Sequence, residues 1–220
     1  MFPTTVTDNF FNNPDKIVEY LNTLDFIYKS ENYPGIRTDC LSTIDYNLFN
    51  SIVMKVLSNY YSDEDLFTIE FQTTLVAQKV NEKFPGGWIH SDFPYHMSFV
   101  IYLTPNADIN TGTCMYKVKD EYTTYNRWDL LNKYADAKEE CYSNPTDENI
   151  KRLDGLRLKN NEPFEKTVEV GNVFNRCIAF DSNEYHAQNQ LTSGDRLTLV
   201  GFIKYVSKPY PNIRRTIIHI

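Results

Sequence analysis

The sequence predicts a mainly β chain with flanking helices, folded as a jelly roll of two packed sheets. Two helical patterns come first, and two groups of strand patterns follow, separated by a polar insertion of helical period. Short strands in two groups favour two sheets around one core. We expect a single domain over 1–220, with an N-terminal helical part (1–62), a jelly-roll core (66–118 and 166–206) and a helical insertion (120–161).

Two helices are predicted in the N-terminal part. Asn13 is a favourable N-cap and Pro14 suits the first helical position, so a helix is expected to begin here and run to about Leu24. A second helix is expected over about 45–60, because apolar residues recur there at every fourth position. These residues are Ile44, Leu48, Ile52, Val56 and Tyr60.

The period then changes to that of β-strands. Apolar and polar residues alternate from Phe67 to Val80, which predicts a two-sided strand. Residues 98–103 are almost wholly apolar, as expected for a strand buried on both faces, and 113–118 is expected to be its hairpin partner. Later strands are expected at 167–170, 176–181, 184–187 and 196–206.

The insertion has a helical period, with a further helix expected over 146–159. Insertions near the mouth of a site often carry function, so one role is a lid or substrate-selecting element. The other is a solvated helical hairpin on the exterior, and both stay open. One apolar stripe consists of Trp128, Leu131, Tyr134 and Ala135. A second, expected to face inward, consists of Ile150, Leu153 and Leu156.

Composition limits the class of protein. Hydrophobic residues make up 41% of the 220 positions and aromatic residues 15%, which suits a globule with a substantial core. The net charge of −7 disfavours a nucleic-acid partner, because a phosphate backbone attracts basic surfaces. The four cysteines form no C-x-x-C pair and are expected to be reduced thiols. With no secretion signal and no apolar stretch long enough for a bilayer, we expect a cytoplasmic protein without a membrane partner.

A candidate metal site begins with the H-x-D pair His90 and Asp92. On extended backbone, residues two apart project from the same face, so both can reach one ion. His186, in a later strand-like stretch, is the candidate third ligand. Two histidines and one carboxylate leave three octahedral positions free, which suits Fe(II) with a co-substrate and O₂. An H-x-D pair alone also arises by chance, and His186 alone fits a capped or surface histidine better than a metal ligand.

Arg196 opens an apolar strand ten positions after His186, and Thr198 shares its face. A guanidinium binds a carboxylate through two parallel hydrogen bonds, and a neighbouring hydroxyl can add a third. A buried arginine needs an anionic partner. The distal carboxylate of 2-oxoglutarate would supply one.

The order H-x-D, a long gap, H, about ten residues and then R-x-T resembles the 2-oxoglutarate/Fe(II)-dependent dioxygenase superfamily. Residues 87–92 followed by 99–103 are similar to its prolyl-4-hydroxylase-like branch, and the resemblance covers roughly 67–206 without the insertion. It implies a double-stranded β-helix, the cupin-like jelly roll, with iron at its open mouth. By position it implies the metal-binding and catalytic residues His90, Asp92 and His186, and the 2-oxoglutarate-binding residues Arg196 and Thr198.

Three further residues have two interpretations each. Tyr102 either contributes to the co-substrate pocket or packs as an aromatic residue in the sheet. His96 is expected to have a structural or substrate-facing role, since no carboxylate lies two residues after it. Arg37 is expected to form a surface ion pair, with substrate recognition as the alternative.

The implied activity is that of a hydroxylase: with Fe(II) and O₂, 2-oxoglutarate becomes succinate and CO₂ while a C–H bond of the substrate is oxidised. An amino acid, a peptidyl group or another small molecule fits as the substrate. About ninety residues separate Asp92 from His186, more than is usual in the superfamily, and 110–114 only approximates the branch's Gly-Gly-x-Thr hairpin. Two alternatives stay open: a catalytically silent jelly-roll binding module and a cupin-like metal-dependent isomerase. The sequence leaves the oligomeric state open.

Overall fold

The computed structural model describes residues 2–27, 33–84, 86–191, 194–208 and 211, so both predicted ends of the domain lie outside the described residues. The helices are α1 (Pro14–Asn22), α2 (Leu41–Ile44), α3 (Tyr46–Leu57), α4 (Asp63–Leu66), α5 (Arg127–Asn132), α6 (Ala135–Ser143) and α7 (Asp147–Asn161). The strands are β1 (Thr5–Thr7), β2 (Ile36–Arg37), β3 (Phe71–Asn81), β4 (Met97–Tyr102), β5 (Thr113–Val118), β6 (Phe164–Val170), β7 (Arg176–Asp181), β8 (Tyr185–Gln188) and β9 (Asp195–Val206).

The strands form two antiparallel sheets. The main sheet has the order β1-β7-β4-β9-β3-β2, and the second sheet has the order β6-β5-β8. Residues 87–90 run along β8, where His90 pairs with His186, and so extend the second sheet. This arrangement with flanking helices is consistent with the predicted jelly roll. The sheets pack on each other through a cluster of Tyr102, Ile178 and Phe180 from the main sheet and Met115 and Val170 from the second.

The N-terminal helices pack on the main sheet. Asn13 caps α1 through its side chain and Pro14 begins the helix, as predicted, although α1 ends at Asn22. The predicted second helix is α3, which Asp45 caps by accepting a backbone N–H. The described cysteines are free thiols and three of the four are buried, as predicted. The buried face of α3 joins the main core through Phe49, Ile52, Val53, Val56 and Leu57.

The strand predicted from Phe67 begins four residues later, at Phe71. Phe67 directly follows α4 and is 89% exposed. Ser62 caps α4 with its side chain, so this segment turns helically before strand pairing starts. β3 then pairs with β9, from Phe71 opposite Val206 onwards. The N-terminal part is also less purely helical than predicted, since β1 and β2 join the main sheet.

The prediction that 113–118 is the hairpin partner of β4 was wrong. β4 pairs with β7 on one side and with β9 on the other, so neither of its edges is free. β5 instead pairs with β6 and β8 in the second sheet. The connection over 103–112 carries the chain from one sheet to the other.

The insertion is helical, as predicted, and contains α5, α6 and α7. Trp128, in the first predicted stripe, is 66% exposed. The stripe does not continue through one helix, because α5 ends at Asn132 and Tyr134 is the N-cap of α6. None of the described helices is both long enough and apolar enough to cross a membrane. The stripe of α7 faces inward as predicted, with Leu153 buried and Ile150 and Leu156 partly buried.

Two glycines give a matched test of this packing. A Cβ at Gly201 in β9 would lie 2.1 Å from the ring of buried Phe99, whereas one at Gly155 in α7 would meet no atom within 4 Å. We expect Gly201→Ala to lower the free energy of unfolding by roughly 1–3 kcal/mol, because the overpacked core must shift. Gly155→Ala should raise it by about 1 kcal/mol, because alanine is the better helix former. Chemical denaturation measures both, and effects of the same sign would contradict the described packing.

Candidate metal centre and adjoining cavity

The three predicted ligands come together in the structure. His90, Asp92 and His186 each offer one donor atom, and these atoms all lie within 4.8 Å of one another. Nε2 of His186 is 3.3 Å from Oδ2 of Asp92, and Nε2 of His90 is 3.6 Å from Oδ1. Two imidazoles and one carboxylate form the donor set that suits Fe(II) when further positions stay open.

Backbone pairing brings the two histidines together. The N–H of His90 donates to the carbonyl of His186 at 3.1 Å, and the N–H of His186 donates to the carbonyl of His90 at 2.8 Å. Opposed residues of an antiparallel pair project from the same face, and here the two ring centroids are 4.4 Å apart. Gly87 permits this close pairing, because a Cβ there would lie 2.9 Å from the backbone nitrogen of Gln188.

Hydrogen bonds to backbone carbonyls fix how both rings are presented. Nδ1 of His90 lies 2.8 Å from the carbonyl of Trp88, and Nδ1 of His186 lies 3.0 Å from the carbonyl of Glu184. A carbonyl only accepts, so each Nδ1 carries the hydrogen and each Nε2 keeps its lone pair for the cluster. Burial holds the pKa of His90 well below its usual range, which keeps this ring neutral.

Asp92 is held by a hydroxyl from the main sheet. The Ser98 hydroxyl of β4 donates to Oδ2 of Asp92 at 2.6 Å, and the Ser98 and Ser182 hydroxyls lie 2.9 Å apart. Burial alone would raise the pKa of the Asp92 carboxyl, but His186, His90 and Ser98 together lower it below its usual range. The carboxylate is therefore ionised at neutral pH, as a metal ligand must be.

Ser98→Ala is expected to weaken metal binding by about 10–100-fold, because Asp92 loses the outer partner that orients it. Calorimetric titration of the apo-protein with Co(II) measures this affinity. Ser58→Ala is the matched control, because the Ser58 hydroxyl bonds to the carbonyl of Lys55 at the exposed end of α3. An unchanged affinity in Ser98→Ala would contradict the orienting role.

His90, Asp92 and His186 together form the candidate metal site, called the metal cluster below. It opens into a cavity of about 910 Å³, which Arg196 also lines. Arg196 is only 6% exposed. Its Nη1 donates to the carbonyl of Thr111 at 3.1 Å and its Nη2 to the side chain of Gln188, while its buried Nε has no hydrogen-bond partner. Among the described residues no carboxylate forms an ion pair with Arg196. This buried cation therefore has room and unused hydrogen-bonding capacity for an anion.

Thr198 and Tyr102 sit opposite each other on β9 and β4. Thr198 is buried and lines the same cavity as Arg196. The Tyr102 hydroxyl donates to Oγ1 of Thr113 at 2.7 Å, and Thr113 rather than Tyr102 lines the cavity. Burial raises the pKa of Tyr102 to about 12, so its hydroxyl is a neutral donor. The predicted co-substrate roles of Thr198 and Tyr102 stay predictions.

The insertion forms one wall of the cavity, so it is not a purely external hairpin. Its role as a lid or substrate-selecting element stays a prediction. Lys138 of α6 is part of this wall and is partly buried. Burial lowers the pKa of Lys138 to about 8. The lining residues from the insertion are Asn126, Arg127, Trp128, Leu131, Asn132, Tyr134, Ala135, Lys138, Tyr142 and Asn160.

His96 and Arg37 differ in their relation to the cavity. The His96 ring packs beside Tyr205, with centroids 6.1 Å apart, and lies outside the metal cluster, in agreement with a structural role. Arg37 lines the cavity. Its Nε and Nη2 donate to Oε1 of Gln78 at 3.2 and 3.1 Å, and its guanidinium lies 3.5 Å from the ring centroid of Tyr33. This position is compatible with the alternative role of Arg37 in recognition, which stays a prediction.

Sequence reasoning missed two asparagines that position the extended segment 87–90, which ends at His90. Nδ2 of Asn160 donates to the carbonyl of Ile89 at 3.1 Å. Nδ2 of Asn161 donates to the carbonyl of Gly87 at 3.0 Å, and its Oδ1 accepts the N–H of Ile89 at 2.8 Å. The sequence shows two adjacent asparagines at the end of the predicted helix. Asparagines are also common at ordinary helix ends, so this pattern alone did not indicate a role at the site.

Comparison with solved structures identifies proteins of similar fold. HygX from Streptomyces hygroscopicus, crystallised with nickel and 2-oxoglutarate, superposes with a TM-score of 0.55 at 12% identity over 91% of this chain and 82% of that chain. Its iron-bound crystal structure gives a TM-score of 0.52 at 11% identity over 91% and 81%. A prolyl hydroxylase from Trichoplax adhaerens, in complex with a peptide fragment of the hypoxia inducible factor, gives 0.55 at 11% identity over 91% and 83%.

These identities show similarity of fold, and the His-Asp-His cluster of this chain is consistent with Fe(II) and 2-oxoglutarate. No curated protein matches the sequence. Residues 2–198 match the model of a family of unknown function, DUF6445. The chain has a mostly antiparallel fold of two sheets. Because the match covers most of its length, the chain belongs to the DUF6445 family.

Proposed function

We propose that this chain is a non-haem Fe(II) and 2-oxoglutarate-dependent dioxygenase of the prolyl-4-hydroxylase-like branch, on a double-stranded β-helix over one domain. It hydroxylates a C–H bond of an amino-acid, peptidyl or small-molecule substrate and releases succinate and CO₂. One observation carries the proposal: the cavity that holds the His-Asp-His cluster also holds a buried arginine without a carboxylate partner among the described residues.

The cluster fits a divalent metal. Both Nε2 atoms are free of hydrogens, and Asp92 is ionised, so His90, Asp92 and His186 would hold the ion without further rearrangement of protons. When bound with 2-oxoglutarate, Fe(II) supplies the activation of O₂ that oxidises a C–H bond. The residues of this chain set the positions of the ligands and the access to them.

Arg196 fits the distal carboxylate of 2-oxoglutarate. Its Nε is buried and unpaired, and Thr198 lies on the same face of β9 to add a hydroxyl. Burial makes a charged hydrogen bond here stronger than one in water. Gln188 and the Thr111 carbonyl hold the guanidinium plane, so binding the carboxylate would not require the arginine to reorient.

An anaerobic titration of the apo-protein with Fe(II) and 2-oxoglutarate tests the proposal. We expect a visible charge-transfer absorption band to appear when both are present, because 2-oxoglutarate chelates the iron. Succinate, which lacks the keto oxygen needed for chelation, is the control and should give no band. A folded protein that gives no band would overturn the oxygenase proposal and favour a metal-dependent isomerase or a silent binding module.

A further inference from the structure

The charges that line the cavity are opposite in sign to the charge of the chain. Among the described lining residues only Asp92 is acidic, and it belongs to the metal cluster. The chain as a whole carries a net charge of −7. The cavity therefore attracts anions although the protein repels them. The basic residues that line it are Arg37, Arg127, Lys138, Arg196 and Lys204.

Most of the cavity's guanidinium groups already have protein partners. Arg37 bonds to Gln78, and Nη2 of Arg127 donates to the carbonyl of Asn183 at 2.6 Å. Arg196 is assigned to 2-oxoglutarate under the proposed function. Arg37 and Arg127 are therefore held in the cavity wall, and Arg196 belongs to the co-substrate site.

Lys138 is different. Within the described part of the chain, its ammonium has neither a hydrogen-bond nor an ion-pair partner. Burial lowers the pKa of Lys138 to about 8. Lys138 lines the same cavity as His90, Asp92 and Arg37, and its charge interacts with all three. Partial burial of this ammonium costs free energy, and an anion bound beside it would offset that cost.

We propose that Lys138 binds an anionic group of the primary substrate, a carboxylate or a phosphate, and so selects acidic substrates for the iron site. The inference rests on the proposed function, because the two carboxylates of 2-oxoglutarate are assigned to the metal and to Arg196. An ammonium is a compact point charge that binds either anion. Its place on the insertion gives that element the role of choosing the substrate.

The test measures binding to protein loaded with Fe(II) and saturating 2-oxoglutarate under anaerobic conditions, by calorimetry. Two matched pairs of probes differ by one anionic group each: N-acetyl-glutamate amide against N-acetyl-glutamine amide, and N-acetyl-phosphoserine amide against N-acetyl-serine amide. We expect one acidic probe to bind roughly tenfold or more tightly than its neutral partner, the range for a charge-assisted hydrogen bond. The pair of probes that shows the larger difference identifies the preferred anion, carboxylate or phosphate.

Lys138→Gln should abolish this preference, Lys138→Arg should keep most of it, and the surface control Lys133→Gln should keep all of it. Lys138→Met serves as the second neutral variant if Lys138→Gln folds poorly. No acidic preference in wild type, or a preference that survives in both neutral variants, would overturn the assignment. The charge-transfer band of the 2-oxoglutarate complex is recorded in the same samples. Its absence in wild type would overturn the proposed function. Its loss only in the neutral variants would place Lys138 at the co-substrate and overturn this inference alone.

Discussion

Replacing Arg196 by alanine is expected to weaken 2-oxoglutarate binding by roughly 100-fold or more while metal binding is retained. Truncating one partner of a buried charge pair costs about 2–5 kcal/mol, and about 1.4 kcal/mol corresponds to a factor of ten. The 2-oxoglutarate concentration that gives half of the charge-transfer absorbance, at fixed Fe(II), measures the effect. Arg152→Ala is the matched control, because Arg152 pairs with Glu140 on the surface.

A methionine at the same position separates a ligand-binding arginine from a structural one. Arg196 is buried, and no carboxylate of the described residues compensates its desolvation. We expect Arg196→Met to keep or raise the thermal unfolding temperature of the apo-protein and to remove the stabilisation that 2-oxoglutarate gives to wild type. A large loss of apo-protein stability with unchanged 2-oxoglutarate affinity would assign this arginine to the fold.

His186→Ala is expected to reduce Fe(II) affinity by more than about 100-fold, beyond the 10–100-fold typical for loss of an outer-shell partner. Succinate release should fall to background, because two ligands hold the metal too weakly. His96→Ala is the matched control: His96 is also a partly buried histidine, but its ring lies beside Tyr205 outside the cluster. Metal titration and succinate assay of both variants give the comparison.

Two results would contradict this assignment. Normal metal binding in His186→Ala would mean that another residue completes the site. Equal losses in His186→Ala and His96→Ala would mean that the effect comes from damage to the fold. Circular dichroism of both apo-variants distinguishes these cases, because it shows whether either substitution damages the fold.

Local patterns in the sequence were sufficient to predict most of the long helices and strands, and to select three residues that come together in the structure. The spacing of His90 and Asp92 requires only that the backbone be extended, and Asn13 and Asp45 cap their helices through local contacts. The partner of β5 could not be predicted in this way. Which strand it joins depends on β7 and β9 having already occupied both edges of β4, and these strands come later in the chain.

The residues that line the cavity could also not be predicted from local sequence patterns. Lys138 resembles the other lysines of a polar helix, and only the packing of the insertion reveals that it faces the cavity. Ser98 looks like one polar residue in an apolar strand until its hydroxyl is found on Asp92. Tyr102 shows the reverse case, because its position in the motif suggests the pocket while its hydroxyl is engaged by Thr113.

Asn160 and Asn161 tie the end of the insertion to the backbone that presents His90. A chain that gained, lost or exchanged this insertion would therefore also change the rigidity of the segment that presents His90, a proposed metal ligand. Under the proposed function, substrate specificity and metal retention could therefore not be engineered separately. A foreign insertion grafted to obtain a new substrate would have to reproduce two amides in its last turn, so the segment acts as a brace for the site as well as a wall.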